Sequence, residues 1–154
     1  MNLTAKQSRG TDLDTLLQKV EPPASYPKPL RGIRILVAED SLDNQVLLLQ
    51  YLGIAGASVE IAENGQVAVE KAKHNDFDII LMDVMMPICD GYEATRELRS
   101  KGYHKPILAL TANALRGERA KSLDFGCNDH LNKPVNRKLL IETIGRFVTP
   151  PVDV

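Results

Sequence analysis

From residue 33 onward, short apolar runs alternate with longer stretches in which apolar side chains recur every three or four positions. The runs cover 33–38, 58–62, 77–82 and 107–110, with a weaker one over 128–132. Short runs rich in aliphatic residues, without polar alternation, suit strands covered on both faces. Between them, Ser41 is placed to cap a helix carrying Leu42, Val46 and Leu49 on one face, so that Val46 and Leu49 versus Leu47 and Leu48 divide between core and surface. Further helices are predicted over 65–73, over 92–100 with Ala94, Thr95 and Leu98, over 114–125 closed by Gly126, and over 137–147 with Leu140, Ile144 and Phe147 inward. Five strand-then-helix units require crossovers between parallel neighbours, and those crossovers are right-handed. The predicted fold class is α/β, a doubly wound five-stranded parallel sheet with helices on both faces.

The first thirty residues read differently. Residues 1–10 are polar, and Leu13, Leu16, Leu17 and Val20 then recur at the spacing of one helix face behind Thr11 or Asp12 as a cap. The following PPASYPKP holds four prolines, each of which fixes φ and lacks an N–H, so an extended spacer is expected. This divides the chain into a short helix and linker over 1–31, a domain over 32–148 and a tail over 149–154. With 44% hydrophobic and 25% charged residues among 154, the composition is that of a globular protein. A net charge of -1 supplies no global field to attract nucleic acid or an anionic membrane. No apolar run reaches the length of a membrane span and the N-terminus lacks a secretory core, so a cytoplasmic setting is expected. Cys89 and Cys127 lack metal-ligand spacing and read as free, small packing residues.

Candidate chemistry lies where the runs end. In an open parallel sheet, ligands bind outside the carboxyl ends of the strands. Those ends carry Glu39-Asp40, Asp83, Thr111-Ala112 and Lys133-Pro134. Each has a structural alternative: Glu39-Asp40 as a helix cap or dipole partner, Thr111 in a hydroxyl-bonded turn, Lys133 as a solvated charge, Asp90-Gly91 as a turn. Together at one edge they point to a site. Crowded carboxylates repel unless a hard cation joins them, and Mg²⁺ prefers carboxylate oxygen and water. Lys133 and Thr111 add nothing to that metal site but suit a ligand with several anionic oxygens, a phosphoryl group. Asp83 is then placed as a nucleophile that takes the phosphoryl as an aspartyl phosphate. Met85, two residues beyond Asp83, and Asn113, two beyond Thr111, overlook the path of a hydrolytic water; a thioether cannot orient it, whereas an amide can.

The blocks IRILVAED at 33–40, LMD at 81–83 with Met86-Pro87 and Asp90-Gly91, Leu110-Thr111-Ala112, and Lys133-Pro134 resemble the receiver domain of two-component response regulators, over about residues 32–148. The stretches ALTANA and GCNDHLNKP are most similar to receivers carried by hybrid sensor histidine kinases. The resemblance implies a flavodoxin-like (βα)5 fold with strand order 2-1-3-4-5 and a signalling phosphoacceptor, not an enzyme beyond its own phosphorylation and dephosphorylation. It implies Asp83 as the acceptor, with Mg²⁺ held by Asp40, Asp83 and the Met85 carbonyl and by Glu39 through water. Thr111, Lys133 and the Ala112 N–H would hold phosphoryl oxygens. Thr111 would move as the switch with the residue at His130, where the family usually has Tyr or Phe. The implied partner is a histidine kinase or a histidine phosphotransfer domain; neither nucleic acid nor direct membrane contact is expected, and the oligomeric state stays open. The alternative is a haloacid dehalogenase-like phosphatase, which also uses an aspartyl nucleophile. There, however, the nucleophile follows the first strand and a second acid sits two residues on, where this chain has Met85. A dinucleotide-binding enzyme would need a glycine-rich turn where Ala38-Glu39-Asp40-Ser41 stands.

Overall fold

The computed structural model describes residues 27–113 and 117–150. The helix expected near 11–20, most of the proline-rich spacer and residues 151–154 lie outside them. The described elements are β1 (Arg34–Ala38), α1 (Leu42–Ile54), β2 (Ser58–Ala62), α2 (Gly65–His74), β3 (Ile79–Asp83), α3 (Gly91–Ser100), β4 (Ile107–Thr111), α4 (Glu118–Phe125), β5 (Asp129–Asn132) and α5 (Arg137–Phe147). The five strands form one sheet in the order β2-β1-β3-β4-β5, each pair parallel. This is the predicted doubly wound α/β architecture.

Strand limits shift by a residue or two for identifiable reasons. Phe77 is buried but precedes β3, because the Asp78 N–H donates to the Arg34 carbonyl at 2.8 Å and its carboxylate accepts from the Arg34 N–H at 2.8 Å. β3 and β4 each run one residue further than the apolar runs, so Asp83 and Thr111 are strand residues held by ladder pairing.

The side-chain alternation of the strands builds two cores. Leu36, Ile80, Met82 and Ala109 meet Ala68, Val69, Ala94 and Leu98 of α2 and α3 on one face. Val37, Leu81, Leu110 and Leu131 meet Leu48 and Leu52 of α1 and Leu140 and Ile144 of α5 on the other. Each fully buried aliphatic side chain contributes about 1.5–3 kcal/mol. Leu30, within the segment read as linker, is 1% exposed and its N–H donates to the Ala55 carbonyl at 2.8 Å, tying the entering chain to the end of α1.

Caps set where the helices begin. Asn64, Asp90 and Asn136 each accept from a backbone N–H three residues on at 2.9 Å, and Ser41 does so at 3.4 Å; such a cap is worth about 1 kcal/mol. Two sequence expectations meet the structure differently. Over the described residues the fourth helix runs from Glu118, with Gly117 at its N-cap at φ 92, outside helical space, while positions 114–116 of the expected span lie outside the described residues. On α1 the innermost residues are Leu48, Leu49 and Leu52, whereas Val46 and Leu47 are half-buried and Leu42 is exposed.

Candidate functional site

Parallel pairing brings the sequence-predicted residues to one edge. Glu39 and Asp40 follow β1, Asp83 ends β3, Thr111 ends β4, and Lys133 follows β5 with its N–H donating to the Thr111 carbonyl at 2.8 Å. Lys133 Nζ donates to Asp83 Oδ2 at 3.0 Å and lies 3.0 Å from Glu39 Oε1. It is therefore a half-buried bridge between two acids and not a solvated charge. Asp83 Oδ1 accepts from the Met85 N–H at 3.2 Å. Glu39 is fully buried; its Oε2 accepts from the Ser41 N–H at 3.1 Å and the Asn44 amide at 3.5 Å, so the cap alternative describes one of its two oxygens. The other, Oε1, has only a charge contact with Lys133 and no bond of hydrogen-bond geometry. Asp40 is exposed, and one carboxylate oxygen from each of Glu39, Asp40 and Asp83 lies within 4.8 Å of the others.

Charge does not balance in this group. Burial, followed by the repulsion of Glu39, pushes Asp83 up to about 6 from 3.8, although Lys133 and the Met85 N–H pull the other way. Burial disfavours the Lys133 ammonium, but Glu39 and Asp83 outweigh it and raise its pKa. One ammonium thus serves a cluster of three acids. A buried Glu39 oxygen whose one charged neighbour is an ammonium shared with Asp83, three acids with oxygens within 4.8 Å of one another, and an aspartate that resists ionisation together fit the donor set of a hard divalent cation.

The walls of the site come from the loops. Gly91 is required where α3 starts: a Cβ there would lie 2.2 Å from the Asp83 carbonyl oxygen, so no other residue lets α3 approach the end of β3. In the loop between them Met85 is 73% exposed, and Ile88 is 76% exposed with φ 71, a left-handed conformation that a β-branched residue rarely adopts. Thr111 is buried and its Oγ1 accepts from the Asn113 N–H at 3.0 Å, which is the hydroxyl-bonded turn anticipated for it. Its own proton remains available to a further acceptor. Ala112 is exposed beside it. His130 pairs with Ala109, two residues before Thr111 on the same sheet face; it is half-buried, and its Nδ1 is buried without a hydrogen bond.

Sequence reasoning missed one polar cluster. The Tyr92 hydroxyl at the start of α3 bonds Glu118 at the start of α4 and lies 3.0 Å from Ser122 Oγ, all three buried. Burial and then the Glu118 carboxylate push Tyr92 up to about 12, so it stays a neutral donor. Tyr92 stacks on Phe125 at 4.6 Å and Lys121 covers its outer side at 5.3 Å. Tyr92, Glu118 and Lys121 line a groove of about 450 Å³ together with Met85, Thr111 and Asn113.

Residues 35–145 match the family model described as the response regulator receiver domain. The chain is 42% identical over 129 residues to hybrid signal transduction histidine kinase I of Dictyostelium discoideum, a match covering 78% of this chain and 7% of that protein. It is 39% identical over 126 residues to the sensor protein EvgS of Escherichia coli K12, covering 82% and 10%. The chain thus spans about a tenth or less of the length of these relatives. Among solved structures, a Pseudomonas aeruginosa sensor histidine kinase receiver domain with magnesium coordinated in its active site cleft is 42% identical, with TM-score 0.70, covering 75% of this chain and 97% of that one. A Saccharomyces cerevisiae receiver domain, co-crystallised with a histidine phosphotransfer signalling protein, is 32% identical with TM-score 0.72, covering 76% and 89%.

Proposed function

Since this chain belongs to the response regulator receiver domain family of two-component systems, we propose that Asp83 accepts a phosphoryl group from a phosphohistidine on a histidine kinase or histidine phosphotransfer partner. The observation that carries this reading is the Asp83 carboxylate itself, 2% exposed at the end of the central strand and bound at 3.0 Å by Lys133 among two further acids. The P–N bond of the donor breaks as a carboxylate oxygen of Asp83 bonds to phosphorus, and the imidazole departs with the electron pair. Asp83 must be ionised to attack; its raised pKa of about 6 leaves it so at neutral pH. Lys133, once its partner oxygen is committed to phosphorus, turns its ammonium to a phosphoryl oxygen. Ala112 offers a backbone N–H and Thr111 a hydroxyl proton to the other oxygens.

Asp40, Asp83 and the Met85 carbonyl would hold Mg²⁺ directly, with Glu39 acting through a water. A Mg²⁺ ion held there would neutralise the crowded acids and offset the charge of the incoming phosphoryl group. Thr111 signals occupancy by turning its hydroxyl from the Asn113 N–H toward the phosphoryl, and His130, on the same sheet face, is the residue that answers this movement. The phosphatase alternative has no support from the family match, and in this fold the acceptor ends the third strand, with Met85 where a second acid would be needed.

Acetyl phosphate with Mg²⁺ should add one phosphoryl group by intact mass, and Asp83→Asn should abolish the addition. Equal labelling of the mutant would overturn the assignment.

A further inference from the structure

A groove of about 520 Å³ lies between the last turn of α1 and the first half of α5, and none of the acidic-cluster residues lines it. Tyr51, Ile54 and Ile141 give it an apolar lining, and Pro27 and Pro29 of the entering chain line it as well. Arg137 and Lys138 stand at the start of the α5 side, with Glu142 four to five residues further along. We propose that this groove is the docking site of the chain's own N-terminal segment, residues 11–20, bound as an amphipathic helix. The inference is independent of the phosphoacceptor reading.

Three observations carry it. The first is delivery: Leu30 is fixed to Ala55, and Pro27 and Pro29 already line the groove, so the chain enters the fold at its edge. Residues 21–26 can reach at most roughly 20 Å, which keeps residue 20 beside the same opening. The second is the apolar stripe of Leu13, Leu16, Leu17 and Val20, which a helix must cover against some surface. The third is charge order. Asp12 and Asp14 lie toward one end of the segment and Lys19 toward the other. The five residue steps from Asp14 to Lys19 span about 7.5 Å of helix, matching the distance along α5 from Arg137 and Lys138 to Glu142. With Val20 at the proline end, the segment runs alongside α5 in the same direction, acids facing Arg137 and Lys138 and Lys19 facing Glu142. The long α1–α5 face is thereby closed at its lower end, while the start of α1, beside Asp40, stays open.

Hydrogen exchange by mass spectrometry on the whole chain tests this. Amides of 11–20 should exchange at least about tenfold more slowly than an unstructured peptide of the same sequence, an opening cost of about 1.4 kcal/mol or more. The double change Leu16→Asp with Leu17→Asp should remove that protection and speed exchange at 51–55, while 79–83 stays protected. Reversing the rim with Arg137→Glu and Lys138→Glu should speed exchange at 11–20 without touching the apolar lining, so the test does not depend on a variant that fails to fold. Exchange of 11–20 at the unstructured rate in the unaltered chain would overturn the proposal, as would protection indifferent to both double variants. Protection that fades on dilution together with a dimer mass would assign the groove to a second copy and overturn it equally.

Discussion

Replacing Asp83 by Asn should make the metal-free protein more stable at neutral pH, although it deletes the central residue of the site. In the fold, Asp83 has its pKa raised from 3.8 to about 6, first by burial and then by Glu39. A carboxyl whose folded pKa lies above its unfolded value favours the fold when protonated. That contribution is complete below 3.8 and is lost as pH rises through about 6. At pH 7.5 the ionised group therefore costs the fold roughly two pKa units, or about 3 kcal/mol. Asn is neutral at every pH and fills the same volume. Its single amide oxygen can replace Oδ2 facing Lys133 or Oδ1 facing the Met85 N–H, not both, so the donor left facing its NH₂ group subtracts from the gain and makes the full cost of ionisation an upper bound. Lys133 also retains Glu39 at 3.0 Å, so the change strands no buried cation. Urea unfolding in EDTA at pH 7.5 should give Asp83→Asn up to about 3 kcal/mol more stability than the unaltered chain, narrowing toward zero near pH 4. Adding Mg²⁺ at about a hundred times its dissociation constant should stabilise the unaltered chain by about 2.7 kcal/mol and leave the mutant nearly unmoved. A mutant less stable at pH 7.5, or an advantage that does not change with pH, would refute the reasoning, because the gain would then not come from the ionisation of Asp83.

Ile88 holds φ 71 with its side chain 76% exposed, so Ile88→Asn should relieve backbone strain while losing little packing; a gain of about 1 kcal/mol in urea unfolding is expected. Tyr92→Phe removes the hydroxyl donor from the buried Glu118 carboxylate and should cost about 1–3 kcal/mol. Part of that cost should disappear in the double mutant with Glu118→Gln, measured as a double-mutant cycle. Met85→Asn places an amide where water would approach the aspartyl phosphate and should shorten its lifetime, whereas Asn113→Ala should lengthen it. A change of about tenfold corresponds to 1.4 kcal/mol in the barrier, read by the decay of the intact-mass increment at unchanged Mg²⁺ affinity.

What was legible in the sequence depended on whether meaning resided in a residue's type or in its pairing. Asp83, Thr111 and Lys133 were readable because a parallel sheet brings every strand's end to one edge, so a polar residue closing an apolar run is located by its run alone. The fold followed similarly, since Ile79 to Met82 or Ile107 to Leu110 is compatible with few other environments. On α1 the same rule failed: Val46, Leu47, Leu48 and Leu49 are all apolar, and four apolar residues in a row do not announce which of them faces inward. The inward line is set instead by Leu48, Leu52 and Ala55, whose spacing follows one stripe once the helix is placed on the sheet. Tyr92 and Glu118 were invisible for another reason. They are 26 residues apart on two helices, and each reads as an ordinary surface position until α3 and α4 are side by side. The imbalance that dominates the site belongs to this second kind. Glu39, Asp40 and Asp83 can be counted in the sequence, but that Lys133 spans two of them, leaving Glu39 Oε1 unbonded and Asp83 hard to ionise, depends on distances that only the assembled sheet edge defines. The Asp83 carboxylate that strains the metal-free fold is one of those a cation would join, so stability and ligand binding at this edge should vary in opposite directions when it is neutralised.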